Sequence, residues 1–163
     1  MSTIEKAKTD PIPQFWDELD GSHMVMLGST VHSQHMQPME PHSARDEKSI
    51  WFFTKKTSDI ARAAENPGTV HMCLVTDDYQ ACIDGELRTT YSREHVERYW
   101  SSMVEAWFPE GKDDPSLTML CLTPRTGAIW ASTGSKLAFG WEVAKAITTG
   151  HEPDVGYTTH VTF

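Results

Sequence analysis

Apolar spacing divides the chain into short elements. Residues 1–9 are polar, with no apolar run, and predict a flexible arm. Asp10-Pro11 opens a short helix carrying Phe15, Trp16 and Leu19, and Gly21 ends it. Met24 to Val31 predicts a strand, and Gln37 to His42 a second, more polar one. Ser43 to Lys48 is charged and turn-like. Ile50-Trp51-Phe52-Phe53-Thr54 predicts a packed third strand, because bulky apolar residues suit a pleated surface. Ser58 to Glu65 predicts a short helix, capped by Thr57 or Ser58 and stopped by Asn66-Pro67-Gly68. Val70 to Val75 is a nearly unbroken apolar strand. Asp77-Asp78 then turns the chain into a long strand, Tyr79 to Thr90, where Gly85 hints at a bulge or a close backbone approach.

Ser92 begins what reads as the longest helix, with Val96, Tyr99/Trp100, Met103/Val104 and Trp107 at helical spacing and Phe108-Pro109 at its end. Leu117 to Leu122 and Ala128 to Ala131 predict two last strands, joined by Pro124-Arg125-Thr126-Gly127. Leu137, Trp141, Ala144 and Ile147 give a final amphipathic helix closed by Gly150, and the tail to Phe163 reads as irregular, suited to packing on a partner subunit. Consecutive strands with short helices inserted suit a small antiparallel barrel. A doubly wound sheet would need a crossover helix between its parallel strands each time. Barrel closure also removes exposed edges. The expected class is mainly β with peripheral helices (α+β), with a domain over 10–150 between the arm 1–9 and the tail 151–163.

Composition narrows the partners. A length of 163 residues fits one domain, and 39% hydrophobic residues with six Trp and six Phe supply a core. The net charge of −9 disfavours nucleic acid and anionic membrane surfaces, both of which call for basic patches. Cys73, Cys82 and Cys121 lack zinc-site or redox-motif spacing and lie in apolar runs, so they are expected as reduced core residues in a reducing compartment. The N-terminus has no apolar signal region, and no run reaches the roughly 18 apolar residues of a membrane span, so the expected location is cytoplasmic. His32, His35 and His42 lie on or beside neighbouring strands, but His32 and His35 would face opposite sides of a strand. No acidic residue completes a ligand pattern there, so no metal site is expected and these are read as surface histidines. G-x-S-x-G, the P-loop and the dinucleotide glycine fingerprint are all absent.

The strongest chemical signal sits where the third strand ends. Thr54, Lys55, Lys56, Thr57 and Ser58 crowd hydroxyl and ammonium groups at the start of a helix. Helix N-termini carry unpaired N–H groups and partial positive charge, so the cluster suits a phosphate. The aromatic residues just upstream suggest that this phosphate carries a flat ring. Trp51, Trp107 and Trp130 are candidates to flank such a ring, Trp107 best placed because it ends a helix beside a loop, while Trp100 and Trp141 fall in packing stripes.

Six pieces in order then carry a resemblance: Gln37-Pro38-Met39, Trp51-Phe52-Phe53-Thr54, Gly85-Glu86-Leu87, Ala106-Trp107-Phe108-Pro109-Glu110-Gly111, Asp114-Pro115 and Ala128-Ile129-Trp130. Together they resemble the bacterial general stress proteins related to pyridoxamine 5′-phosphate oxidase. The resemblance implies a six-stranded antiparallel split β-barrel that forms a homodimer and holds flavin mononucleotide (FMN) at the dimer interface. FMN against the longer FAD stays open. Phe53 and Thr54 are implied to meet the flavin, and Ser58 with a basic residue its phosphate. The implied cofactor-binding set is Gln37, Pro38, Met39, Trp51, Phe53, Thr54, Lys55, Lys56, Ser58 and Trp107. Many relatives have Arg where this chain has Gln37, and Lys where it has Ile60, so Lys55 and Lys56 are the cations on hand. The implied function is a flavin-dependent oxidoreductase with no named catalytic residue. The alternatives are a non-enzymatic flavin carrier or stress-linked binding protein, and a cofactor-free interaction module.

Overall fold

The computed structural model describes residues 1–29, 35–66, 68–151 and 155–163. The polar N-terminus is a helix rather than a flexible arm: α1 (Thr3–Thr9) is closed by a capping box in which Ser2 Oγ accepts from Glu5 N–H and the Glu5 carboxylate accepts from Ser2 N–H. α2 (Pro11–Asp20) follows at once, with Pro at its first turn, and buries Phe15, Trp16 and Leu19.

β1 (Val25–Ser29) and β2 (Gln37–Met39) pair antiparallel. The chain then breaks at Glu40-Pro41, and β3 (His42–Ala44) joins a different part of the sheet. Gln37 to His42 is therefore two strands and not one, because Pro41 has no N–H to continue a ladder. β4 (Ser49–Lys55) pairs with β3, α3 (Asp59–Ala63) follows, and β5 (Gly68–Val75) and β6 (Tyr79–Thr90) form a long hairpin. The expected longest helix is broken into α4 (Arg93–Tyr99) and α5 (Ser102–Glu105). Trp100 leaves the first in an extended conformation, and the Ser101 side chain caps the second by accepting from Val104 N–H.

The two strands expected at 117–122 and 128–131 are one continuous strand, β7 (Leu117–Ser132). α6 (Lys136–Thr149) and β8 (Gly156–Thr162) complete the described chain, so the tail expected to be irregular is a strand. The strand order is β2-β1-β5-β6-β7-β4-β3, antiparallel throughout, with β8 also paired to β7. β7 organises the sheet. β6 runs along one edge of it, while β4 takes the first half of the other edge and β8 the second half. The result is a mainly antiparallel split barrel with helices at its periphery, with eight strands among the described residues where six are expected.

A bulge at the centre of β7 sets which side chains face inward. Gly85 pairs with Pro124 and Asp84 with Thr126, leaving Arg125 as the extra residue. Before the bulge, Leu120 and Leu122 point into the barrel core with Phe15, Phe52, Met72 and Ile83; after it, Ile129 does. Leu117, Met119 and Cys121 point the other way, into a second core under α4 and α5 with Trp51, Val96, Val104 and Phe108. Successive β4 residues serve both sides: Ile50 and Phe52 fill the barrel, and Trp51 fills the second core.

Candidate functional site

A cavity of about 520 Å³ opens where β2, β3, the end of β4 and the segment after α5 converge. That volume lies within the range of small-molecule and cofactor sites. Its walls are Pro38, Met39, His42, Phe53, Val104, Trp107 and Phe108, with Glu40 from the link between β2 and β3, and Thr54, Lys55, Thr57 and Ser58 from the end of β4 and the turn after it. Phe108 is buried in the second core and anchors the wall, while Trp107 next to it is 68% exposed at the rim.

The polar end has a defined hydrogen-bond order. Thr54 Oγ1 donates to Ser58 Oγ at 2.9 Å, and Ser58 Oγ also accepts from Ala61 N–H at 3.2 Å as the N-cap of α3. With both accepting positions of Ser58 engaged, its O–H remains as a donor for a ligand. Lys55 is the one Lys or Arg lining the cavity among the described residues, and its charge helps hold the Asp114 carboxyl below its ordinary range, after the hydrogen bonds from Ser116. The turn is stitched to the 115–116 segment: Lys56 N–H donates to Ser116 O at 2.8 Å, and Lys56 Nζ donates to Pro115 O at 2.7 Å.

At the apolar end His42 stacks on Tyr99 with ring centroids 5.1 Å apart and meets Phe53 edge-on at 5.2 Å. Burial pushes its imidazole down to about 4, so it is neutral near pH 7. Its Nε2 is buried without a hydrogen-bond partner among the described residues.

A family model described as pyridoxamine 5′-phosphate oxidase like matches residues 10–154. The chain belongs to this family. General stress protein 26 of Bacillus subtilis (strain 168) is 33% identical to it over 99 residues, covering 55% of this chain and 70% of that protein. Among solved structures, one assigned to general stress protein 26 from Jannaschia sp. CCS1 has a TM-score of 0.77 at 34% identity and covers 92% of this chain and 96% of its own. The general stress FMN/FAD binding protein from Xanthomonas citri has a TM-score of 0.67 at 33% identity, covering 72% of this chain and 86% of its own.

Within this family fold, seven of the ten sequence-selected residues line the cavity: Pro38, Met39, Phe53, Thr54, Lys55, Ser58 and Trp107. Three stand outside its lining. Gln37 Nε2 is turned to Met39 Sδ at 3.3 Å. Lys56 is spent on the Pro115 carbonyl. Trp51 is buried with its ring 3.8 Å from that of His95 and its Nε1 donating to Ser49 Oγ at 3.0 Å, which makes it a packing residue. Trp130 lies on the outer sheet face, also away from the cavity lining. Ile60 is 2% exposed in the barrel core.

Sequence reasoning missed Glu40, His42, Val104 and Phe108 as lining residues. Their signal was weak: Glu40 and His42 flank a proline, and the other two looked like one helical stripe. His42 is not a surface histidine as expected, His35 is exposed, and His32 lies outside the described residues. No group of three His, Cys, Asp or Glu side chains able to hold a metal ion occurs among the described residues. None of their helices is long and apolar enough to cross a membrane. Cys121 is buried as expected, but Cys73 and Cys82 are half-buried on the outer sheet face, directly opposite each other and free.

Proposed function

We propose that the cavity binds FMN, with the phosphate at Thr54, Lys55 and Ser58 and the ring along Pro38, Met39, Phe53 and Trp107. The observation that carries this reading is the polarity of the cavity. Thr54, Lys55 and Ser58 offer a spare hydroxyl and an ammonium group on one strand end, and Pro38, Met39, Phe53 and Trp107 offer apolar and aromatic surface beside a His42 that is neutral near pH 7. A phosphate attached to a flat ring matches that division. The family membership and the FMN/FAD binding named for the Xanthomonas citri relative support the same reading.

Bound FMN supplies electron or hydride transfer through its ring, and the protein supplies orientation and shielding. Lys55 and Ser58 fix the anionic end. Phe108, locked in the second core, holds the wall next to Trp107, and the neutral His42 keeps positive charge away from the ring end. The proposed activity is a flavin-dependent oxidoreductase, acting as a homodimer with the cofactor at the boundary between copies. The second reading, a flavin carrier without turnover, is favoured by a lining in which, among the described residues, Lys55 is the one Lys or Arg and Glu40 adds a carboxylate.

Absorbance between about 350 and 500 nm after purification or addition of FMN tests binding, and NADH or NADPH without oxygen tests turnover. Bleaching supports the oxidoreductase, and a stable yellow colour supports the carrier. Replacing Thr54 and Ser58 together by Ala should weaken FMN binding on the order of 10- to 100-fold, since hydrogen bonds to charged groups contribute about 1.5–3 kcal/mol. Unchanged affinity by fluorescence titration would remove the phosphate from this turn.

A further inference from the structure

The β5–β6 hairpin sets two thiols face to face. Alternation along both strands sends Met72 and Leu74, with Ala81 and Ile83, into the barrel core and leaves Cys73 and Cys82 on the outer side. The ladder places Cys73 directly across from Cys82, and both are free. The turn at Asp77-Asp78 decides what kind of pair this is. Thr76 N–H donates to Tyr79 O at 2.8 Å, so the pair closing the turn is a hydrogen-bonded one. Bonded and non-bonded pairs alternate along an antiparallel ladder. Val75/Gln80 is therefore non-bonded, Leu74/Ala81 bonded and Cys73/Cys82 non-bonded. Non-bonded pairs stand about 4.5 Å apart at Cα, inside the roughly 4.4–6.8 Å that a disulfide spans. Cys121 has no such neighbour: it is buried in the second core, and its ladder partners are Trp51 and Arg88.

Cys82 has access as well as a partner. It lines a second cavity, of about 360 Å³, together with His71, Asp84, Ala128 and His160. Ala128, opposite Cys82 on β7, carries only a methyl group and leaves room beside the sulfur. The two imidazoles and the carboxylate around that room can hydrogen-bond a small polar oxidant. We propose that Cys73 and Cys82 form a reversible dithiol–disulfide site whose oxidant is a hydroperoxide that reaches Cys82 through this cavity.

With hydrogen peroxide the site closes in two steps. The Cys82 sulfur attacks one peroxide oxygen. An S–O bond forms, the O–O bond breaks, and the Cys82 proton leaves with the other oxygen as water. The Cys73 sulfur then displaces the hydroxyl from the Cys82 sulfenic acid. The S–S bond forms, and the hydroxyl departs with the Cys73 proton as a second water. The two sulfurs together lose two electrons, and the peroxide gains them. Burial and the adjacent Cys82, to which it hydrogen-bonds, push the Cys73 thiol up to about 11. Cys73 thus keeps its proton near neutral pH and acts second, while the cavity-lining Cys82 meets the oxidant first. A bridge on this half-exposed face stays open to a reducing thiol, which returns both thiols. Nothing in the site depends on FMN.

Thiol counting and mass spectrometry on the full chain test this. The native protein is treated with hydrogen peroxide, quenched, denatured and counted. Of its three thiols only Cys121 should remain, the mass should fall by two hydrogens, and a digest should yield one peptide pair joined through Cys73 and Cys82. Dithiothreitol should restore all three thiols. Dimedone, which traps sulfenic acids, should label Cys73→Ser and leave both the wild type and Cys82→Ser unlabelled. A native chain that keeps three thiols under peroxide that oxidises the urea-unfolded chain overturns the site. So does a bridge that uses Cys121 or joins two chains, or a Cys82 that goes on to sulfinic acid in the wild type. Bridging by diamide but not by peroxide overturns the choice of oxidant. Dimedone on Cys82→Ser but not on Cys73→Ser overturns the role of the cavity.

Discussion

His42 shows how one side chain links stability to the site. Packed on Tyr99 and Phe53, it is neutral when folded, with burial pushing it down to about 4 from the ordinary 6.5. Its folded value lies below its unfolded value, so the unfolded chain binds the proton first as pH falls. The stability it contributes is present above about pH 6.5 and is lost progressively toward pH 4. Between pH 7.5 and pH 5 that loss amounts to about 2 kcal/mol. Urea unfolding at the two pH values should show it, and His42→Phe, which keeps a ring in the stack, should flatten the difference. An equal loss in both proteins would place the pH sensitivity elsewhere. Trp51 makes the complementary case, since its neighbours are His95 and Ser49 and it is not among the cavity-lining residues. Trp51→Phe should lower the denaturation midpoint through lost packing and the lost bond to Ser49 while FMN affinity stays within about twofold. A large loss of affinity would return Trp51 to the site.

At the scale of elements, the bulge between β6 and β7 decides the most. A Cβ added at Gly85 would stand 2.4 Å from the Thr123 carbonyl oxygen and 3.1 Å from Pro124 Cα, both backbone atoms that cannot swing away. Gly127 meets the flexible end of Ile83 at the same 2.4 Å, where a side chain can shift. Gly85→Ala should therefore destabilise by roughly 1–3 kcal/mol, the usual range for overpacking, and by more than Gly127→Ala. Thermal melts of the two variants check the order. The bulge was half legible in the sequence: Gly85 pointed to it from one strand, whereas Pro124-Arg125-Thr126-Gly127 read as a turn rather than the opposite side of the same irregularity. The break between α4 and α5 was hidden for a similar reason. The helical stripe from Val96 to Trp107 continues across Ser101-Ser102, yet the serine side chain captures Val104 N–H and ends the periodic backbone. The capping box at Ser2 and Glu5 was a readable signal for α1 that the polar composition concealed.

For the whole molecule, the two chain ends brace one another. Thr3 Oγ1 donates to Asp78, Gln14 Nε2 donates to Thr3 O, and Phe163 packs on Phe15 with ring centroids 5.1 Å apart. Deleting residues 156–163 should lower the melting midpoint and promote aggregation, because it bares the second half of the β7 edge as well as Phe15 and Trp16. A truncated chain that melts like the full one would show that β8 adds little. The sequence by itself determined the antiparallel β class, most strand positions and the Thr54-to-Ser58 turn, because alternation, bulky runs and capping residues act over a few neighbouring residues. It did not determine which strands neighbour one another, that Gln37 to His42 divides between the two ends of the sheet, or that Trp51 faces a second core rather than the cavity. Those outcomes depend on packing between segments far apart in the chain. Only the tertiary structure brought Pro38, His42, Thr54 and Trp107 to one cavity, because each lies on a segment whose register is set by a different partner strand or by α5 and the second core.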